Sequence, residues 1–146
     1  MIEAVDRHNG IINKFLGDGF MAIFGAPLSD PSASSHAVEA AREILAEIDR
    51  RATAGAGGAP LRVGIGLHVG VAVTGNIGSP RRKEFTVIGD IVNLAARIEQ
   101  LNKEFGSRLL VSASVADSLG PALGDAQLLS AAVKGYADPI TVWRLS

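Results

Sequence analysis

The sequence predicts a domain of the α+β or α/β class, with helices packed on one mostly antiparallel sheet. Three observations predict it. Residues 36–51 and 91–105 carry apolar side chains at helical spacing, so each reads as an amphipathic helix. Residues 11–16 and 20–24 are short apolar runs separated by Gly17-Asp18-Gly19, a hairpin signature. Across residues 61–74, Leu61, Val63, Ile65, Leu67, Val69, Val71 and Val73 alternate with other residues, the period of one or two strands.

Taken in chain order, residues 1–8 hold helix formers with apolar Ile2 and Val5, and stop at Asn9-Gly10, a C-cap or turn signal. The second hairpin strand ends at Gly25-Ala26-Pro27, and residues 30–35 form a polar loop offering N-caps to the helix that follows. That helix turns Ala37, Ala40, Ala41, Ile44, Leu45 and Ile48 to one side. Residues 53–60, with Gly55, Gly57 and Gly58, read as a mobile linker. Residues 76–83 read as a turn-rich basic loop and residues 84–88 as a short strand. The second amphipathic helix has a core face of Ile91, Leu94, Ala95, Ile98, Leu101 and Phe105, with Asp90 where an N-cap belongs. Leu109-Leu110-Val111 is a buried-strand candidate, Ser112 starts a short helix, and residues 141–145 close with a strand. Glycine supplies 17 of 146 residues. Its run from Gly64 to Gly78 alternates with β-branched residues, which marks strands whose backbone approaches something closely.

Composition narrows the function. Residues 1–146 are one domain's worth of chain, 47% hydrophobic and 20% charged, with a net charge of −1. A bulk electrostatic grip on nucleic acid needs a clustered excess of Lys and Arg, and Arg81-Arg82-Lys83 without aromatic platforms reads as a solvated loop. The chain has no cysteine, hence no disulfide framework and no thiolate chemistry. No apolar run approaches the roughly 20 residues that span a bilayer, and residues 1–6 lack the order of a signal peptide. The expected setting is cytoplasmic, either free or as the cytoplasmic part of a membrane-anchored protein.

Three places offer chemistry. Asp18, in a tight Gly-flanked turn, would present its carboxylate to a hard divalent ion, although Asp-Gly is also a favoured hairpin turn with no function attached. Lys14, between Ile12 and Leu16, must snorkel to solvent as an edge-strand lysine or meet a partner. Asn93 and Arg97 are four apart on a helix and share one flank. That flank is either ordinary solvated surface or a donor cluster suited to negative charge developing on a phosphoryl group. Thr86 lies seven residues before Asn93, on the strand feeding the helix, and Asp90 reads as the helix cap. Lys134, in a loop before the last strand, is either simply exposed or a point-charge contact for phosphates.

In order and spacing, these pieces resemble the class III adenylyl cyclases over nearly the whole chain. Four blocks carry the resemblance: Asn13-Lys14-Phe15-Leu16-Gly17-Asp18 with Phe24-Gly25; Gly64-Ile65-Gly66-Leu67-His68-Val69-Gly70; Gly75-Asn76-Ile77-Gly78-Ser79; and Phe85-Thr86 through Val92-Asn93-Leu94-Ala95-Ala96-Arg97. The resemblance implies a ferredoxin-like cyclase fold and conversion of ATP to 3′,5′-cyclic AMP and pyrophosphate. It implies that Asp18 is one of two aspartates holding two divalent ions, Mg²⁺ or Mn²⁺. Lys14 and Thr86 match the family's purine-selecting pair, in an ATP-type rather than a GTP-type combination. Asn93 matches the residue that orients the ribose, Arg97 the one that stabilises the transition-state phosphate, and Lys134 a lysine on the terminal phosphates. In the family the metal ligands come from one subunit and the purine pair, Asn and Arg from the other, so one chain carrying both sets implies a head-to-tail homodimer with two shared sites.

One departure counts against activity. The family domain begins with a strand bearing the other metal aspartate, in a Phe-x-Asp-Ile-x-Gly-Phe-Thr-like segment that this sequence does not contain. The chain in isolation is therefore expected to be weak or inactive, with a regulatory domain upstream in the full protein. The competing expectation is a non-catalytic dimerisation or nucleotide-binding module of a signalling protein. Survival of Lys14, Asp18, Thr86, Asn93 and Arg97 together favours the enzyme.

Overall fold

The computed structural model describes residues 1–55, 61–79 and 82–146. In chain order the elements are α1 (Ile2–Arg7), β1 (Gly10–Leu16), β2 (Gly19–Phe24), α2 (Ala33–Thr53), β3 (Ile65–Leu67), β4 (Val73–Ser79), β5 (Arg82–Ile88), α3 (Asp90–Phe105), β6 (Leu109–Ser112), α4 (Ala113–Leu119), a 3₁₀ turn (Gly120–Leu123), β7 (Gln127–Ala131) and β8 (Ile140–Arg144). The α+β class holds, with helices on both faces of a central sheet. That sheet has the order β3-β6-β8-β7, in which β3 and β6 are parallel and the other neighbours antiparallel.

β6 shows why the layers form. Leu109, Leu110 and Val111 are all fully buried, the mark of a strand covered on both faces. Because side chains alternate along a strand, Leu109 and Val111 pack with Val38, Ala41 and Leu45 of α2 and with Val115, Ala116 and Leu119 of α4. Leu110 points the other way, to Ile98 and Leu101 of α3 and Val142 of β8. Each such side chain contributes roughly 1.5–3 kcal/mol by leaving water. Ser112 accepts a hydrogen bond from the Val115 amide and caps α4, as expected from its position.

The single sheet expected from sequence is divided among the described residues into three hydrogen-bonded pieces: β1-β2, the four-stranded sheet, and β4-β5. The β1-β2 hairpin joins the rest by packing instead. Ile12, Phe20, Ala22 and Phe24 meet Ala4 and Val5 of α1, Ile44 and Ile48 of α2, Val63 just before β3 and Ile65 at its start. Asn9, at φ 60°, turns the chain from α1 into β1, as the Asn-Gly signal required.

Other boundaries shift. The linker expected over residues 53–60 begins later, because α2 runs through Thr53, and residues 56–60 lie outside the described residues. Of the alternating run over 61–74 only Ile65–Leu67 and the start of β4 are strand, and Val71 is 97% exposed. The loop expected over 76–83 is largely the hairpin of β4 and β5, in register from Val73↔Ile88 to Ser79↔Arg82. Backbone pairing there overrides the poor strand propensity of Gly75, Asn76 and Gly78. β7 has no counterpart in the sequence reading.

The glycine-rich run does mark a close approach, at Gly66. A Cβ placed there would sit 2.3 Å from the Glu99 nitrogen and 2.8 Å from the Ala95 oxygen, both backbone atoms of α3. The helix lies directly on β3. Asn102, buried on α3, fastens the same contact by donating to the Ile65 carbonyl at 3.0 Å, while accepting from Ser107 Oγ at 2.8 Å. Replacing Gly66 with Ala should push α3 off the sheet, at a cost of about 1–3 kcal/mol. Urea unfolding of Gly66→Ala would show this as a lower midpoint; an unchanged midpoint would mean that the helix is not held there.

Candidate functional site

Two structural units carry the residues singled out in the sequence. The first is the β1-β2 hairpin. Lys14 lies on β1 opposite Met21 and is exposed; Asp18 is exposed in the Gly17-Asp18 turn. Gly17 adopts φ 61°, the left-handed conformation that lets so short a turn close. Between Ile12 and Lys14 the pairing with β2 shifts register, so Asn13 sits at a bulge. Its side-chain amide donates to the Phe85 carbonyl of β5 at 2.8 Å, tying the hairpin to a strand of another sheet.

The second unit is the first half of α3 with the loop between β7 and β8. Asn93 is exposed and Arg97 partly buried. Lys134 is exposed, and Gly135 beside it has φ 93°. A methyl group on Gly135 would lie 3.8 Å from Arg97 Nη2, so the loop backbone passes close to the guanidinium. Thr86 stands on β5 opposite Gly75, and its side chain lies outside the described residues. The structure thus brings Arg97 together with the Lys134–Gly135 backbone, and joins the strands of Lys14 and Thr86 through Asn13.

Asp90 departs from its expected role. The residue capping α3 is Gly89, at φ 148°, a conformation that favours glycine, and Asp90 is already the first helical residue. Its carboxylate instead accepts the hydroxyl of Tyr136, a residue that the sequence reading passed over. The hydrogen bond to Asp90 holds the Tyr136 hydroxyl above the usual tyrosine range, with the Asp90 charge acting in the same sense and Arg97 opposing it. The two stand 46 positions apart, so no local signal links them; Tyr136 immediately after Lys134-Gly135 is the nearest hint. Nearby, partial burial pushes the His68 imidazole below its ordinary value, with Asp90 pulling the other way. His68 Nδ1 lies 2.9 Å from Ser112 Oγ, which ties the chain after β3 to the start of α4.

Among the described residues no group of three or more His, Asp or Glu side chains could enclose a metal ion. Asp18 alone suits the more open arrangement in which Mg²⁺ keeps several waters and takes one or two carboxylates plus substrate phosphates. Its exposed carboxylate fits that part. Also among the described residues, no helix is long and apolar enough to cross a membrane.

Residues 3–144 match the adenylate and guanylate cyclase catalytic domain family. Adenylate cyclase 1 of Rhizobium meliloti is 32% identical over 145 residues, covering 98% of this chain and 22% of that protein. The terminal-differentiation specific adenylate cyclase of Dictyostelium discoideum is 32% identical over 148 residues, covering 99% of this chain and 7% of that protein. The chain therefore spans about a fifth or less of these curated relatives. Among solved structures, guanylyl cyclase Cya2 superposes with a TM-score of 0.85 at 31% identity, covering 97% of this chain and 72% of that one. Adenylyl cyclase CyaB from P. aeruginosa does so with a TM-score of 0.73 at 25% identity, covering 97% and 74%. The fold and the matched residues define a nucleotide cyclase domain. This chain belongs to the adenylate and guanylate cyclase catalytic domain family.

Tyr136 is the only tyrosine in the chain, so its titration can be followed directly by ultraviolet absorbance. Its midpoint should lie above the ordinary value of about 10 and fall in Asp90→Asn, where the charged acceptor is gone. An identical midpoint in the variant would separate the two residues.

Proposed function

We propose that this chain is the catalytic region of an adenylate cyclase, which forms 3′,5′-cyclic AMP and pyrophosphate from ATP at sites shared across a homodimer. The observation that carries the reading is the placement of Arg97 close to the Lys134–Gly135 backbone, with Asn93 one turn earlier on α3. This sets the Arg97 guanidinium beside the loop that carries Lys134, with the Asn93 amide a turn away, a donor set suited to polyphosphate charge. Adenylate cyclases among the relatives, and Lys14 paired with Thr86, support ATP over GTP.

Each side chain then has one task. Lys14 donates to adenine N1 and the Thr86 hydroxyl accepts from the 6-amino group; guanine presents the reverse pattern. Asn93 orients the ribose, so that its 3′-oxygen faces the α-phosphorus. Arg97 donates to the α-phosphate oxygens, where charge grows as the bond to the β-phosphate lengthens. Lys134 meets the terminal phosphates as a point charge and favours departure of pyrophosphate. Asp18 supplies a carboxylate oxygen to Mg²⁺ or Mn²⁺, and the bound ions would neutralise phosphate charge and acidify the 3′-hydroxyl.

The test is cyclic nucleotide production from ATP and from GTP with Mn²⁺, using the full-length protein and this chain alone. The full-length protein should prefer ATP and the isolated chain should be weak. Lys14→Glu with Thr86→Cys should shift preference toward GTP; unchanged ATP preference would contradict the assignment of that pair. Silence of the full-length protein with both nucleotides would favour a non-catalytic dimerisation module.

A further inference from the structure

Asn13 carries three independent features. It occupies the bulge of β1, where the register against β2 shifts between Ile12 and Lys14. Bulges re-aim side chains and are over-represented beside active sites. Its Nδ2 donates to the Phe85 carbonyl at 2.8 Å, 72 positions away in sequence and between two sheets that share no strand pairing among the described residues. Its Oδ1 is buried and has no hydrogen-bond partner among the described residues. Flipping the amide would bring that oxygen against the Phe85 carbonyl, so the orientation is set by the contact itself.

An orphaned buried acceptor lowers stability, and the bond made by the other end of the amide offsets only part of that loss. Stability therefore does not account for an asparagine here. Position does. Asn13 immediately precedes Lys14 on β1, and Phe85 immediately precedes Thr86 on β5. The hydrogen bond links the two strands one residue before Lys14 on β1 and one residue before Thr86 on β5.

We propose that Asn13 is a positioning residue for base selection: through the Phe85 carbonyl it holds the strand of Lys14 at a set distance from the strand of Thr86, so that the two read one purine edge together. The proposal rests on the assignment of Lys14 and Thr86 to the purine. Asn13 touches no substrate; it acts through its neighbours.

The experiment measures kcat/KM for ATP and for GTP in the full-length protein with Mn²⁺, for the unaltered sequence, Asn13→Ala, Asn13→Asp and Lys14→Glu. Asn13→Ala should lower the ATP-to-GTP ratio by roughly tenfold, the effect of a lost positioning bond. Its thermal midpoint should stay close to that of the unaltered protein, since an unpaired acceptor disappears together with the donor. Asn13→Asp keeps the volume but cannot donate to the carbonyl, and should lower the ratio similarly. It carries the test if Asn13→Ala does not fold. A purely structural residue would shift the midpoint and leave the ratio alone, which would overturn the proposal. If Lys14→Glu changes the ratio while neither Asn13 variant does, the clamp alone is wrong. If Lys14→Glu also leaves the ratio unchanged, the purine assignment fails and the clamp with it.

Discussion

No side chain fits between β3 and α3 at Gly66, and the placement of the helix that carries Asn93 and Arg97 follows from that contact. Backbone lies against backbone, with the Glu99 nitrogen and Ala95 oxygen where a Cβ would stand. Asn102 fixes the helix along its axis through the Ile65 carbonyl, and Arg144 of β8 reaches the Phe105 carbonyl at 3.1 Å at its far end. A helix so held cannot roll or slide without breaking partly buried hydrogen bonds, which is costly. Asn93 and Arg97 inherit that rigidity, and electrostatic stabilisation of a transition state depends on donors fixed beforehand.

The loop bearing Lys134 is brought to the same helix by a separate device. Tyr136 binds Asp90 at the start of α3, and Gly135, in a conformation suited to glycine, lets the chain pass beside Arg97. The hairpin bearing Lys14 and Asp18 is held more lightly. It packs against α1, α2 and β3 through apolar side chains, and its described tie to β5 is one asparagine amide. Rigidity around α3 and a lighter attachment of the hairpin suit the site proposed above, in which the two units meet across subunits.

Much of the fold was legible from local pattern. The hairpin, both long amphipathic helices and the β6 run were all strong periodic signals, and Ser112 caps its helix as its type and place required. What escaped depended on partners distant in sequence. β4 extends through Gly75, Asn76 and Gly78 only because β5 pairs with it, and β7 joins the sheet through β8. Asp90 looked like a cap, and only the folded chain brings Tyr136 to it. The candidate site was legible in a different way. Taken singly, Lys14, Asp18, Asn93, Arg97 and Lys134 each had an ordinary surface reading, and their order and spacing raised them above it. The bulge at Asn13 and its bond to Phe85 had no sequence signal at all.

A site completed across a head-to-tail dimer needs Asp18 from one subunit and Arg97 from the other, which a mixing experiment tests most directly. Asp18→Asn and Arg97→Ala full-length proteins, each nearly inactive alone, would be combined and assayed for cyclic AMP. A mixed dimer has one site carrying both changes and one carrying neither. Random exchange should therefore restore about a quarter of the unaltered activity. No recovery, with exchange of subunits shown to have occurred, would mean that the two residues act within one subunit and would contradict the shared site.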